Sequence, residues 1–297
     1  MIDIRLKVFV SVANNLSFTK ASKELFKCQP AISRHIHELE EEFDTKLFIR
    51  KANSIELTES GKLLLKHAKT ILANYENLSF EMNALNEKFE GNLSIGATPT
   101  ILQFVLPQLL VEFKKLYPNI KITVSTGNTA FVENLVSTTK VDLGLVEACN
   151  FRTDLHYTPF KEDELVAFVR YHSPLAKQKV ISLSELKTVP LILKDEGTVT
   201  RTLIEDQLKD KGENIEDYNI EMSFSDAQSV KGFVENSDTI GILSQISIEA
   251  ELKRREIKKL KIDGLKLKRP FSLVQVDKDS LGTVKKFKKF LKDFYSK

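Results

Sequence analysis

The stretch FTKASKELFKCQPAISRHIHELE, residues 18–40, reads as helix at both ends and carries a proline in its middle. A proline in a helix interior clashes with the preceding turn and has no N–H to donate, so one unbroken helix does not fit. Two helices do. In the first, Phe18, Ala21, Leu25 and Phe26 fall on one side, with Lys20, Lys23 and Glu24 outside. In the second, Ile32, Ile36, Leu39 and Phe43 follow the spacing of a core-facing stripe. Pro30 then sits in the first turn of the second helix, where a missing N–H costs nothing. The other face of that helix carries Gln29, Ser33 and His37 in a row, with Pro30 and Arg34 alongside. Donors and acceptors therefore crowd its N-terminal end, the end that enters the major groove in a helix-turn-helix. Gln suits adenine, Arg suits guanine or phosphate, and Ser suits either. A merely solvated polar face has the same composition and stands as the plain alternative.

Downstream, SIELT (54–58) is strand-like, and from Thr58 to Phe89 the chain has no proline and a single glycine, Gly61. Thr58 suits the N-cap of a long helix and Glu59 its first turn. Leu64, Ala68, Ile71, Tyr75, Leu78, Met82, Leu85 and Phe89 recur at alternating fours and threes, a heptad seam that pairs one helix with another. At 1.5 Å per residue the helix would run roughly 45 Å. The spacing predicts a dimerisation rod, with packing on its own chain as the alternative.

After Glu90-Gly91 the texture changes to strand–helix alternation. Strand-like runs at 92–98, 120–126 and 141–147 enclose helix-like runs at 101–118 and 131–139. This βαβαβ order predicts a parallel sheet covered by helices. Further strands are expected at 164–170, 190–195, 219–225, 239–244 and 271–276, with helices from about Thr200, over 226–236 and over 281–295.

The chain has 297 residues, 42% hydrophobic and 29% charged, with a formal net charge of +3. That length accommodates two or three domains, and the mild charge requires any nucleic-acid contact to be local. No apolar run is long enough to span a membrane, and the N-terminus lacks a signal-peptide pattern, so the expected location is cytoplasmic. Cys28 and Cys149 form no metal or disulfide framework, and His35, His37, His67, His156 and His172 have no zinc spacing. No metal or other cofactor is expected. Nucleophile-elbow, P-loop and dinucleotide-binding motifs are absent, so no catalytic residue is assigned. The basic run 252–269 reads as a solvated surface, and 285–294 as a core stripe.

The segment FTKASKELFKCQPAISRHIHELEEEFDTKLFIR closely resembles the winged helix-turn-helix signature of LysR-type transcriptional regulators. The resemblance covers the whole chain. It implies an α plus α/β fold: a winged helix-turn-helix over 1–57, a linker and dimerisation helix over 58–89, and a two-lobed effector domain over 90–297. That domain would be similar to type 2 periplasmic binding proteins, with lobe I at about 90–162 and 268–297 and lobe II at about 163–267. Gln29, Pro30, Ser33 and Arg34 would meet DNA in the major groove, with His37 in the same row. Thr19 and Lys20 would lie near the backbone, and Arg50 with Lys51 would begin the wing. Cys28 stands where the family usually has serine, and a thiol is a poor N-cap.

For the second part, Thr98-Pro99-Thr100, Asn128-Thr129, the run 197–200 and Ser225-Asp226 each follow a strand and open a helix. Helix N-termini suit small anions, and ligands in open α/β sheets bind beyond the carboxyl ends of strands. Plain capping is the alternative for each residue. The resemblance marks Thr100 and Asn128 as effector contacts, with Thr98, Thr129, Thr198, Thr200 and Asp226 as neighbours. Glu147 would either repel an anion or hold an amine. VENSDTIGILS departs from the family's glycine-rich pattern, which puts an expected close backbone approach there in doubt. The implied partners are double-stranded DNA carrying an interrupted palindrome, a small effector that suits an anion site, further copies of the chain in a dimer or homotetramer, and RNA polymerase. A solute-binding protein or an enzyme on the same two-lobed fold is the rival reading.

Overall fold

The computed structural model describes residues 3–51, 54–85, 89–147, 151–276 and 282–296. Cys149 and the tip of the wing lie outside them. The chain separates into two compact units, Met1–Lys88 and Phe89–Lys297.

The first unit runs α1 (Ile4–Asn15), α2 (Phe18–Glu24), α3 (Gln29–Glu42), β1 (Phe48–Arg50), β2 (Ile55–Leu57) and α4 (Glu59–Leu85). Pro30 stands in the first turn of α3, as its chemistry requires. Ile32, Ile36 and Leu39 of α3 pack with Val8, Phe9 and Val12 of α1, Ala21 of α2 and Phe48 of β1. The outer parts of both stripes differ from expectation. Phe43 is half exposed, and Phe26 is 97% exposed, because α2 ends at Glu24 and Phe26 takes a left-handed φ of 52°. β1 and β2 pair antiparallel as a wing, with Phe48 opposite Leu57.

Thr58 holds the start of α4: its hydroxyl accepts from Gly61 N at 2.9 Å and donates to the Lys46 carbonyl at 2.7 Å. The backbones approach so closely there that a Cβ on Gly61 would lie 2.2 Å from the Leu47 carbonyl oxygen. The first turns of α4 are not free for a partner helix. Ala68 is fully buried and Leu64 half-buried in the core of this unit. Ile71, Tyr75, Leu78 and Met82 remain exposed. The side chain of Leu85 lies outside the described residues. Phe89, expected on the seam, falls beyond the helix and packs edge-on to Tyr117 in the second unit.

The second unit continues with β3 (Gly91–Ala97), α5 (Pro99–Phe104), α6 (Leu106–Leu116), β4 (Ile120–Thr126), α7 (Thr129–Ser137), β5 (Leu143–Glu147) and β6 (His156–Arg170). Next come β7 (Val180–Ile181), α8 (Leu183–Leu186), β8 (Leu191–Lys194), α9 (Val199–Lys209), β9 (Ile220–Phe224), α10 (Ala227–Glu235) and β10 (Ile240–Ser244). The unit closes with α11 (Glu249–Arg254), β11 (Ile257–Ile262), β12 (Lys268–Gln275) and α12 (Gly282–Tyr295). The helix expected over 101–118 is two helices, because Pro107 fits only a first turn and so starts α6 afresh.

Strand order is β4-β3-β5-β12-β6-β10-β8-β9. β3 runs parallel to β4 and β5, and β8 runs parallel to β9 and β10, giving two α/β lobes. β6 belongs to both. Its first part pairs with β12 and its second with β10 and β11. Only 164–170 of this long strand was expected; the polar run before it is strand because β12 supplies its hydrogen bonds. β11 is likewise strand, and its Ile257, Leu260 and Ile262 are buried within the basic run. The close backbone approach doubted in lobe II occurs one step on, at Gly241, where a Cβ would lie 2.5 Å from the Phe168 ring.

Candidate DNA-reading face and effector cleft

In the first unit, α3 offers its N-terminal face to solvent. Gln29, Pro30, Arg34 and His37 are exposed and Ser33 is half-buried. Thr19 and Lys20 are exposed on α2, and Thr19 Oγ1 donates to Gln29 Oε1 at 3.3 Å, so the two helices present their polar groups together. Arg34 pairs with Glu38 at 2.8 Å and His37 with Glu41 at 3.3 Å, each one turn along the helix. Arg34 holds the Glu38 carboxyl below its usual range. Arg50 closes β1 opposite Ile55, and Lys51 meets Glu56 at 2.6 Å. Cys28 occupies the N-cap of α3 with no side-chain bond to it, as expected of a thiol.

In the second unit, the carboxyl ends of the strands converge between the lobes. Ala97 stands beside Leu145 in the β3–β5 register, so Thr98 and Glu147 finish neighbouring strands. Phe271 of β12 is opposite Glu147, and Arg269, two residues back along β12, is opposite Asp163 of β6. Arg269 is 2% exposed. Its Nε donates to Asp163 Oδ2 at 2.9 Å, one Nη donates to Thr200 Oγ1 of α9 at 3.1 Å, and the other lies 3.6 Å from Glu147 Oε1. Ser244 at the end of β10 donates to the other Asp163 oxygen. Burial pushes the Asp163 carboxyl up, and Arg269 and Ser244 pull it back. Lys194, ending β8, donates to the Ser225 carbonyl, and burial lowers its ammonium. The cleft therefore holds two carboxylates and two cations contributed by both lobes.

Of the expected effector residues, Thr98, Glu147 and Thr200 are buried, and Glu147 and Thr200 stand against Arg269. Thr129 donates to the Glu147 carbonyl at 3.3 Å, and Thr100 is half-buried in the first turn of α5. Asn128, Thr198 and Asp226 serve as N-caps: their side-chain oxygens accept from Phe131, Arg201 and Ser229 N–H groups. The bond to Ser229 also lowers the Asp226 carboxyl. Thr98 is the exception among the caps. It stands at the N-cap of α5 without a capping bond, and its buried hydroxyl has no partner among the described residues.

Comparison with known proteins covers both units. Residues 4–62 match the bacterial regulatory helix-turn-helix of the lysR family, and residues 86–295 match the LysR substrate binding domain. The chain belongs to the LysR family. It is a DNA-binding transcriptional regulator with a substrate-binding domain, and that family consists of regulators rather than enzymes. It is 34% identical to the HTH-type transcriptional regulator CysL of Bacillus subtilis over 91% of this chain and 89% of CysL. Full-length CbnR complexed with its target DNA aligns with a TM-score of 0.58 at 21% identity, covering 99% of each chain. The Synechocystis PCC6803 CcmR regulatory domain in complex with 2-PG aligns with a TM-score of 0.62 at 24% identity, covering 69% of this chain and 98% of that domain. Among the described residues no helix is long and apolar enough to cross a membrane.

Sequence reasoning missed the centre of this LysR regulator's cleft. Arg269 sits at the end of the basic run 252–269, where it reads as one more surface cation. No alternation marked it, because every position of β12 from Phe271 to Gln275 is buried, and Asp163, Lys194 and Ser244 carried no signal either.

Proposed function

We propose that this LysR regulator reads an interrupted palindrome with paired α3 helices and answers to a small molecule bearing an acid group, bound between its lobes. The carrying observation is Arg269, a buried guanidinium that touches Asp163, Thr200 and Glu147 where the strand ends of both lobes meet. The likeness to CcmR solved with 2-PG supports small-molecule binding on this fold, and the likeness to CbnR solved with target DNA supports duplex reading. In this reading 1–57 docks on DNA, 58–89 pairs protomers and 90–297 senses the effector. Gln29, Ser33 and Arg34 touch bases, Thr19, Lys20, Arg50 and Lys51 the backbone, and Thr98, Thr100, Thr129, Glu147 and Thr200 the effector. The stripe Ile71, Tyr75, Leu78 and Met82 supports a homodimer, and two such dimers form the proposed tetramer, which works in the cytoplasm alongside RNA polymerase without catalysing a reaction. Effector binding shifts the population of lobe arrangements by its different affinity for each.

The test is footprinting of the regulator on its upstream region. Wild type is expected to protect two half-sites about one helical turn, or a multiple of it, apart. Ser33→Ala with Arg34→Ala is expected to erase the protection; an unchanged footprint refutes the DNA-reading assignment. Met82→Glu is expected to shift sedimentation toward the monomer.

A further inference from the structure

The proposed effector site contains a contradiction that narrows its ligand. Two buried donors lack a hydrogen-bond partner among the described residues: Thr98 Oγ1 and one Arg269 Nη, each on a residue 2% exposed. Unpaired buried donors call for an acceptor, and a guanidinium calls for an anionic one. A simple acid placed there also meets Glu147, whose Oε1 lies 3.6 Å from that same Nη, outside hydrogen-bond distance. No hydrogen bond from the described residues reaches the Glu147 side chain. Two carboxylates side by side in a buried site repel unless a proton or a cation lies between them. A simple amine fails in the opposite way, because it leaves Thr98 Oγ1 and one Arg269 Nη without a hydrogen bond and faces Arg269 and Lys194.

Charge balance points the same way. Asp226 and Asp195 as well as Glu147 stand near Lys194, so with Asp163 the carboxylates outnumber the two cations, and a purely anionic ligand adds to that excess. From this we infer that the effector is zwitterionic, an α-amino acid or a close derivative with a free amine: its carboxylate accepts from Arg269 and Thr98, and its ammonium donates to Glu147. The inference rests on the cleft reading above and settles the two roles open to Glu147 in favour of holding an amine. Arg269, itself of lobe I, already donates to Thr200 of lobe II, so a ligand on its remaining nitrogen and on Thr98 and Glu147 is linked to lobe II through that side chain.

The experiment uses the full-length protein, with calorimetric titration and thermal shift against matched probes at millimolar concentration. The probes are the proteinogenic L-amino acids, L-lactate, propionate, ethylamine and a neutral sugar. At least one amino acid is expected to bind about tenfold tighter than lactate or propionate, the effect of one charge-assisted buried contact. Glu147→Gln is expected to shrink that ratio toward unity. Thr98→Val is expected to weaken amino acid and hydroxy acid alike by about tenfold. Circular dichroism melting checks that both variants fold, and the wild-type probe ratio is informative by itself. If lactate and propionate bind as tightly as every amino acid, or if Glu147→Gln keeps the preference, the amine assignment is wrong while the acid site stands. If only the sugar binds, or no probe binds, the cleft reading falls with it.

Discussion

Arg34 and Arg269 both stand beside a carboxylate, in opposite surroundings. Arg34 pairs with Glu38 on the surface of α3, where its side chain is 80% exposed. Arg269 pairs with Asp163 where both side chains are almost wholly buried. Water competes for the first pair, so exchanging Glu38 for a base edge or phosphate costs little. The second pair has no such freedom: removing one partner strands a buried charge. In the proposed roles the DNA-reading face keeps its donors exchangeable, whereas the cleft holds Arg269 and Asp163 as a fixed pair. Each arrangement suits its task, since operators are bound and released whereas a selective pocket must hold its shape.

The contrast can be broken most forcefully at Arg269. Arg269→Met is expected to destabilise the second unit by about 3–5 kcal/mol in urea unfolding, and adding Asp163→Leu should recover much of that loss. A small effect of the single change would mean that the cluster is not a frame. Arg34→Ala should do the reverse: unfolding is unchanged, while operator affinity at one fixed salt concentration drops about tenfold or more.

Buried hydroxyls extend the comparison into alkaline solution. Tyr157 donates to Glu133 at 2.7 Å, and burial, reinforced by that carboxylate, pushes its hydroxyl up to about 12 from the usual 10.0. A group raised in the fold keeps its proton when the unfolded chain has lost it. Its contribution is therefore complete below the unfolded value and disappears as pH rises through the folded one. Stability should fall between pH 10.0 and about 12, with a shallower slope in Tyr157→Phe. The smallest expected change is at the helix start. Cys28→Ser supplies the missing cap of α3 and should raise thermal stability by about 0.5–1 kcal/mol. No gain would indicate that the α3 start is already held by packing of Ile32.

The two regions also differ in how far they could be read in advance. Pro30, the stripe Ile32, Ile36, Leu39 and the outward Gln29 and Arg34 all lie within four turns of one helix, so local periodicity reveals them. The same periodicity failed at Phe26, which belongs to the apolar side of α2 only if the helix continues, and it stops two residues earlier. For α4 the heptad seam was visible, but not that Leu64 and Ala68 are already buried by their own unit. In the second unit, cap-like residues were easy to find, and Thr98 and Thr200 are buried, Thr200 against Arg269. Which of them make the capping bond was undecidable locally, because Asn128 and Thr98 differ only in whether a backbone N–H comes within reach.

What the sequence by itself determined is the set of features with a short repeat: the broken helix pair, the long helix, the alternation of strand and helix, and the chemistry offered at the start of α3. The tertiary structure alone decided which charges are buried together. Arg269 and Asp163 are 106 residues apart and meet only because β12 inserts between β5 and β6. Burial of a charge is a property of the partners assembled around it, and cross-strand register between distant segments leaves no periodic trace along the chain.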